Sequence, residues 1–96
     1  MFKKLDPLLH SQLRLSVISL LVNLESAEFV FLKEKTKASA GNLSVQLDKL
    51  EKAGYISIEK FFKAKKPITS CSITDKGIAA FEKYVDSLKD YLHLGD

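Results

Sequence analysis

The sequence predicts a mostly helical α+β domain, with three helices forming a core, a β-hairpin after them and a long last helix. Three observations predict it. Leucines at helical spacing, Leu43, Leu47 and Leu50, close on Ala53-Gly54-Tyr55. The period then switches to that of strands over Tyr55–Phe61 and Ile68–Ile73, on either side of the turn Lys63-Ala64-Lys65-Lys66-Pro67. Finally, Ile78, Phe81, Val85, Leu88 and Leu92 follow at alternating spacings of three and four, the rhythm of a helix–helix seam.

Taken in order, Asp6-Pro7 reads as a helix start, because a proline in the first turn lacks an N–H that the helix does not use. Helix one is expected to run from there to about Leu24. Leu9, Leu13, Val17, Leu20 and Leu24 line one face, and Leu15, Ile18 and Val22 form a second apolar row, so the helix is expected to be sandwiched. Ser26 reads as the N-cap of a short second helix near Glu28–Thr36, with Phe29 and Leu32 facing inward and Phe31 without an obvious place. Ser39 caps helix three, and Gly54 supplies its left-handed stop. Pro67 cannot donate to a ladder and is assigned to the turn or to the first position of the second strand. Thr74 caps the last helix, with Asp75 in its first turn where the helix dipole favours an acid. One domain spans 1–96: helix one in 1–25, a helix-turn-helix in 26–54, the hairpin in 55–73 and the last helix in 74–96.

Ninety-six residues make one small domain, which buries only about 60 to 65% of its unfolded surface, so a partner subunit would add stability. No segment reads as a membrane span or a cleavable leader, and a cytoplasmic location is expected. Cys71 is the lone cysteine; it is read as a small core residue without a resolving partner. His10 and His93 stand far apart and are expected to be exposed and uninvolved, so no metal site and no cofactor are expected. There is no glycine-rich phosphate loop, no nucleophile beside a base and no spaced carboxylate pair, so no catalytic residues are assigned.

Charge is unevenly distributed. Lys33–Lys66 holds nine lysines against four acids, a net of +5, whereas the rest of the chain carries −2. A basic zone concentrates and steers a polyanion, and a helix followed by a lysine-tipped hairpin has the shape of a duplex DNA clamp, helix in the major groove and tip on the phosphates. Lys49, Lys63, Lys65 and Lys66 are expected to neutralise phosphates, which suits a flexible point charge. The single arginine, Arg14, lies in helix one, so base reading is assigned to Asn42, Ser44, Gln46 and the Val45 methyls, weighted toward adenine and thymine. Gly41 would let the backbone approach DNA. The plainer alternatives are solvated polar faces for Asn42 and Gln46, a phosphate contact for Ser44, and packing for Gly77.

Gly41-Asn42-Leu43-Ser44, then Leu47, Leu50-Glu51, Ala53-Gly54-Tyr55-Ile56, Lys65-Lys66-Pro67 with Thr69, and Ile73-Thr74 with Gly77 together resemble the winged helix-turn-helix regulators related to the MarR and ArsR families. Order and spacing, over nearly the whole chain, carry the resemblance. It implies a transcriptional regulator, usually a homodimer, with recognition helix 39–53 in the major groove and wing 61–69 on the backbone. Ser39 and Thr69 join the DNA-contacting set by this likeness. It further implies a dimer interface from the first and last helices, assigned to Leu15, Ile18, Val22, Phe81, Tyr84, Val85, Leu88, Tyr91 and Leu92, and a possible small-molecule effector of unknown identity near Tyr84 and Tyr91. The sequence departs from the family pattern at Ala64, where a wing-tip glycine is common, and at Ile68 and Cys71. The alternative function is a winged helix that contacts protein and not DNA. That reading needs an apolar patch, for which Phe61 and Phe62 are the candidates, and strand alternation is expected to bury one of them.

Overall fold

The computed structural model describes residues 2–92; the expectations for His93 and for the end of the last helix beyond Leu92 lie outside them. The elements are α1 (Gln12–Leu24), β1 (Ser26–Glu28), α2 (Phe29–Thr36), α3 (Ala40–Lys52), β2 (Ile56–Lys63), β3 (Lys66–Ile73) and α4 (Asp75–Leu92). Leu9, Val17, Ile18, Leu21, Leu32, Leu43, Leu47, Leu50, Ile56, Cys71 and Tyr84 form one core where α1, α2 and α3 meet one face of an antiparallel sheet ordered β1-β3-β2. The molecule is elongated, 57 × 25 × 21 Å.

Asp6-Pro7 starts a turn and not the helix. Asp6 Oδ1 accepts from the Leu8 amide and its carbonyl from Leu9 and His10, and α1 begins afresh at Gln12, with Ser11 Oγ accepting from the Arg14 amide. Residues 2–9 are thereby freed to run along α4. Ser26 lies in a strand, against the expected helix N-cap. It is not a cap: Ser26–Glu28 form a third strand paired to β3 in register Ser26↔Ser72, Ala27↔Cys71 and Glu28↔Ser70, and Glu28 precedes α2 without a side-chain cap. Leu32 is buried as expected, and Phe31 is half-buried under the Lys35 ammonium, 5.5 Å from its ring.

The cap of α3 is as read: Ser39 Oγ accepts from the Asn42 amide, and Gly54 stands at φ 80°. The hairpin is longer than expected. Lys63 pairs with Lys66, so the turn is only Ala64-Lys65, both left-handed at φ 53° and 66°. Such a two-residue turn requires positive φ at both positions. Pro67 sits within β3 opposite Phe62. Hydrogen-bonded and non-bonded pairs alternate from the turn, so the missing N–H falls on the side away from β2, beyond the end of β1, where no partner waits.

Residues paired in register share a sheet face. Ile56↔Ile73 and Ile58↔Cys71 face the helices, and Lys60↔Thr69 and Phe62↔Pro67 continue that face out along the projecting wing. Burial ends where the helices end, so neither Phe61 (42% exposed) nor Phe62 (77% exposed) is buried, which corrects the expectation that alternation would cover one.

In α4 the first turn is held as read, the Gly77 amide donating to Thr74 Oγ1. Its inward stripe is Gly77, Tyr84 and Ser87, rotated from the expected seam. The amino-terminal strap occupies this side: Phe2 stacks on Tyr91 with centroids 4.7 Å apart, Tyr91 Oη donates to the Lys3 carbonyl, and Lys3 Nζ meets Asp86 at 3.4 Å. Val85 and Leu92 face solvent, 39% and 72% exposed.

Candidate nucleic-acid interface

The amphipathic pattern of α3 sorts its side chains. Leu43, Leu47 and Leu50 anchor it in the core, which turns Gly41, Asn42, Ser44, Val45 and Lys49 outward, all exposed. Ser39 is also exposed at the cap. A Cβ at Gly41 would meet nothing within 4 Å, so internal packing does not demand glycine there. Gln46 is the exception on this face: it is half-buried, its Oε1 accepting from an Arg14 guanidinium nitrogen and its Nε2 donating to Asn42 Oδ1 at 3.0 Å. Sequence reasoning missed Arg14 at this site, since 32 residues separate it from Gln46 and no local pattern joins them.

The wing carries its charge at its end. Lys63 and Lys66 are directly cross-strand, with Lys65 between them in the turn, and all three are exposed. Like charges opposite one another destabilise a hairpin, a cost that a polyanion would relieve. Between α3 and the sheet lies an open groove of 640 Å³ whose lining includes Ser44, Asp48, Lys60 and Thr69. Thr69 is half-buried there, opposite Lys60, a lysine that sequence reasoning left out although it belongs to the basic segment. Asp48 and Lys52 form an exposed ion pair at 2.9 Å, and the carboxylate holds the Lys52 ammonium pKa above its usual value. Asp48 thus has a counter-charge beside it, and the exposed Glu51 lines the same groove.

The residues expected at a subunit interface divide. Ile18 is fully buried inside the chain and Tyr84 is 6% exposed, its hydroxyl sharing a hydrogen bond with His10 Nδ1 at 3.1 Å. Both serve the chain's own packing, and His10 is engaged where it was expected to be uninvolved. Leu15, Val22, Phe81 and Leu88 are half-buried, while Val85, Tyr91 and Leu92 are exposed, Tyr91 being partly covered by Phe2. A cavity of 350 Å³ beside Tyr84 is lined by Lys4, Asp6, Pro7, Tyr55, Lys83 and Ser87, among others. Tyr55 Oη donates to Asp6 Oδ2 there, and burial followed by this carboxylate pushes the phenol up to about 12. Burial likewise pushes the Cys71 thiol up to about 11, which leaves almost no thiolate at neutral pH. No helix among the described residues is long and apolar enough to cross a membrane.

Comparison with known proteins matches this architecture. An uncharacterized protein of Methanocaldococcus jannaschii is 38% identical over 76 residues, covering 79% of this chain and 83% of its own. The structure of a transcriptional regulator homologue from Pyrococcus horikoshii OT3 superposes with a TM-score of 0.83 at 27% identity, covering 88% of this chain and 84% of that one. A mutant MarR from E. coli, solved in complex with operator DNA, superposes with a TM-score of 0.71 at 22% identity, over 92% of this chain and 68% of that one. Residues 13–92 match the family described as "Winged helix DNA-binding domain", and this chain belongs to that family.

Proposed function

We propose that the chain is a sequence-specific regulator of transcription that binds duplex DNA as a homodimer, with α3 in the major groove and the wing on the backbone. The observation that carries this reading is the joint exposure of Asn42, Ser44, Val45 and Lys49 on α3 and of Lys63, Lys65 and Lys66 at the wing tip, in one chain whose family is DNA-binding. Ser39 and Gly41 bring the first amides of α3 toward a phosphate, and Thr69 with Lys60 faces the groove between helix and wing. The operator DNA bound in the MarR structure supports DNA binding by likeness of fold. No catalytic role, metal or cofactor is proposed, and the cytoplasm is the expected compartment.

The dimer is proposed through Leu15 and Val22 of α1 and Phe81, Val85, Leu88 and Leu92 of α4. Exposed apolar positions on a helix projecting from a small core support it. Two copies would then set their α3 helices about one DNA turn apart, ~34 Å, on a pseudo-palindrome. Repression by blocking polymerase access follows from such occupancy. The cavity beside Tyr84 is where an effector of unknown identity would bind.

A second reading has one observation in its favour: Phe61 and Phe62 together expose more apolar surface than a purely phosphate-binding wing needs, as a protein-contacting wing would. Equilibrium binding to random-sequence duplex over a salt series separates the two. Phosphate-mediated binding weakens steeply as salt rises. Absence of binding even at low salt would favour the protein-contacting wing.

A further inference from the structure

The Arg14 side chain ties the amino-terminal strap to the outward face of α3. Its Nε donates to the Leu8 carbonyl at 2.6 Å, and a terminal guanidinium nitrogen donates to Gln46 Oε1. The Leu8 turn is itself held by Asp6, which accepts the Leu8 amide at 2.9 Å and the Tyr55 hydroxyl at 2.5 Å. Arg14 therefore reaches α3 from a braced position.

A guanidinium has donors only, so the Gln46 group facing it must be the carbonyl. The other end of the Gln46 amide is then a donor, and it meets Asn42 Oδ1 at 3.0 Å. That in turn fixes the orientation of Asn42, one turn earlier on the exposed face. Its oxygen is held toward Gln46 with one of its two acceptor sites taken, and its Nδ2, with two hydrogens, has no partner among the described residues. A chain of three amide and guanidinium groups thus decides which end of Asn42 a ligand meets.

We propose that Arg14 is a specificity-setting positioning residue, which through Gln46 turns the Asn42 amide so that its Nδ2 reads guanine in the major groove. The inference rests on the DNA-binding reading above. An asparagine free to present both ends pairs with adenine, giving a hydrogen to N7 and accepting one from N6. With the oxygen engaged, the amino end favours adjacent acceptors, which guanine offers as N7 and O6, while the N6 amino group of adenine would meet it hydrogen to hydrogen. The weighting toward adenine and thymine, expected because α3 has no arginine, is therefore reversed at the base opposite Asn42. Arg14 does not touch that base; it acts through Gln46.

Gln46→Glu tests the relay while keeping the Arg14 contact, because a carboxylate accepts only. Glutamate at this position accepts from Arg14 and from Asn42 Nδ2, so Asn42 turns over and offers its oxygen. Binding sites selected from random duplex are expected to carry guanine at one position per half-site for the wild type. For Gln46→Glu that position is expected to become cytosine or adenine, whose amino groups donate, with roughly tenfold discrimination in each case. Added negative charge lowers affinity for all sequences alike, so the readout is the preferred base and not the affinity. Arg14→Met, checked for an intact melting transition, is expected to let adenine compete with guanine at the same position. An unchanged base preference in Gln46→Glu, with binding intact, overturns the relay alone; failure of the wild type to bind any duplex at low salt overturns the relay and the DNA-binding reading together.

Discussion

A Val85→Glu, Leu92→Glu variant is expected to be monomeric, and to bind a duplex carrying two half-sites at least about 100-fold more weakly than the wild type. Both side chains stand in solvent, 39% and 72% exposed, on the side of α4 away from the strap, so charging them leaves the chain's own core intact. In a dimer joined along α4 the same carboxylates would be buried without partners, which is costly. Loss of the dimer converts the second half-site contact from an intramolecular event into an independent one, and the whole of that gain is forfeited. Affinity for a single half-site should be unchanged. Light scattering across a concentration series, together with titration of one-site and two-site duplexes, checks both halves. A monomeric wild type, or a variant that still dimerises, contradicts the proposed interface. Ile18 and Tyr84 make poor substitutes for this test, because they are buried within the chain and their replacement would unfold it.

Gly77→Ala is expected to lower stability by about 2 kcal/mol net. An added Cβ would lie 2.2 Å from the Tyr55 carbonyl oxygen and 2.8 Å from Ile73 Cδ1. That carbonyl cannot retreat freely, since it accepts the Thr74 amide at 3.1 Å, and Thr74 also donates its hydroxyl to the Gly54 carbonyl at 2.6 Å while capping α4. Overpacking costs about 1–3 kcal/mol and here falls at the upper end, offset in part by the roughly 1 kcal/mol that alanine gains over glycine in a helix. For a domain of this size the melting midpoint should fall by roughly 8–16 °C. An unchanged midpoint would mean that α4 can shift on the sheet, and the close contact at Tyr55 would lose its structural meaning.

What was legible in the sequence was local. Ser39, Gly54 and Thr74 act through neighbours three or four residues away, and the leucines of α3 through a period of 3.6, so their roles could be read one segment at a time. What was missed depends on partners distant in the chain. Ser26-Ala27-Glu28 has no β-branched or aromatic residue to announce a strand; it is one because β3 offers an edge. The wing's two phenylalanines alternate faces as a strand demands, but burial on one face needs a helix to cover it, and the helices stop short. The apolar spacing of α4 was correct, whereas its rotation was set by the strap of residues 2–9. Arg14 reads as a helix-one residue in sequence, whereas folding carries it to α3. Asn42, Ser44, Lys49 and the wing-tip lysines are exposed as read, whereas Gln46 and Thr69 are half-buried, and the relay that ties down Gln46 is visible only in three dimensions.

If α3 and the wing form a DNA-binding surface, the salt dependence of duplex binding separates the wild type from a Lys65→Ala, Lys66→Ala variant. Each phosphate contact removed should reduce the slope of log affinity against log salt by about 0.9. A steep wild-type slope is expected, and a variant slope shallower by roughly 1.8, with the melting transition preserved because both lysines are exposed. Equal slopes for the two proteins, or no binding by the wild type at low salt, would contradict it.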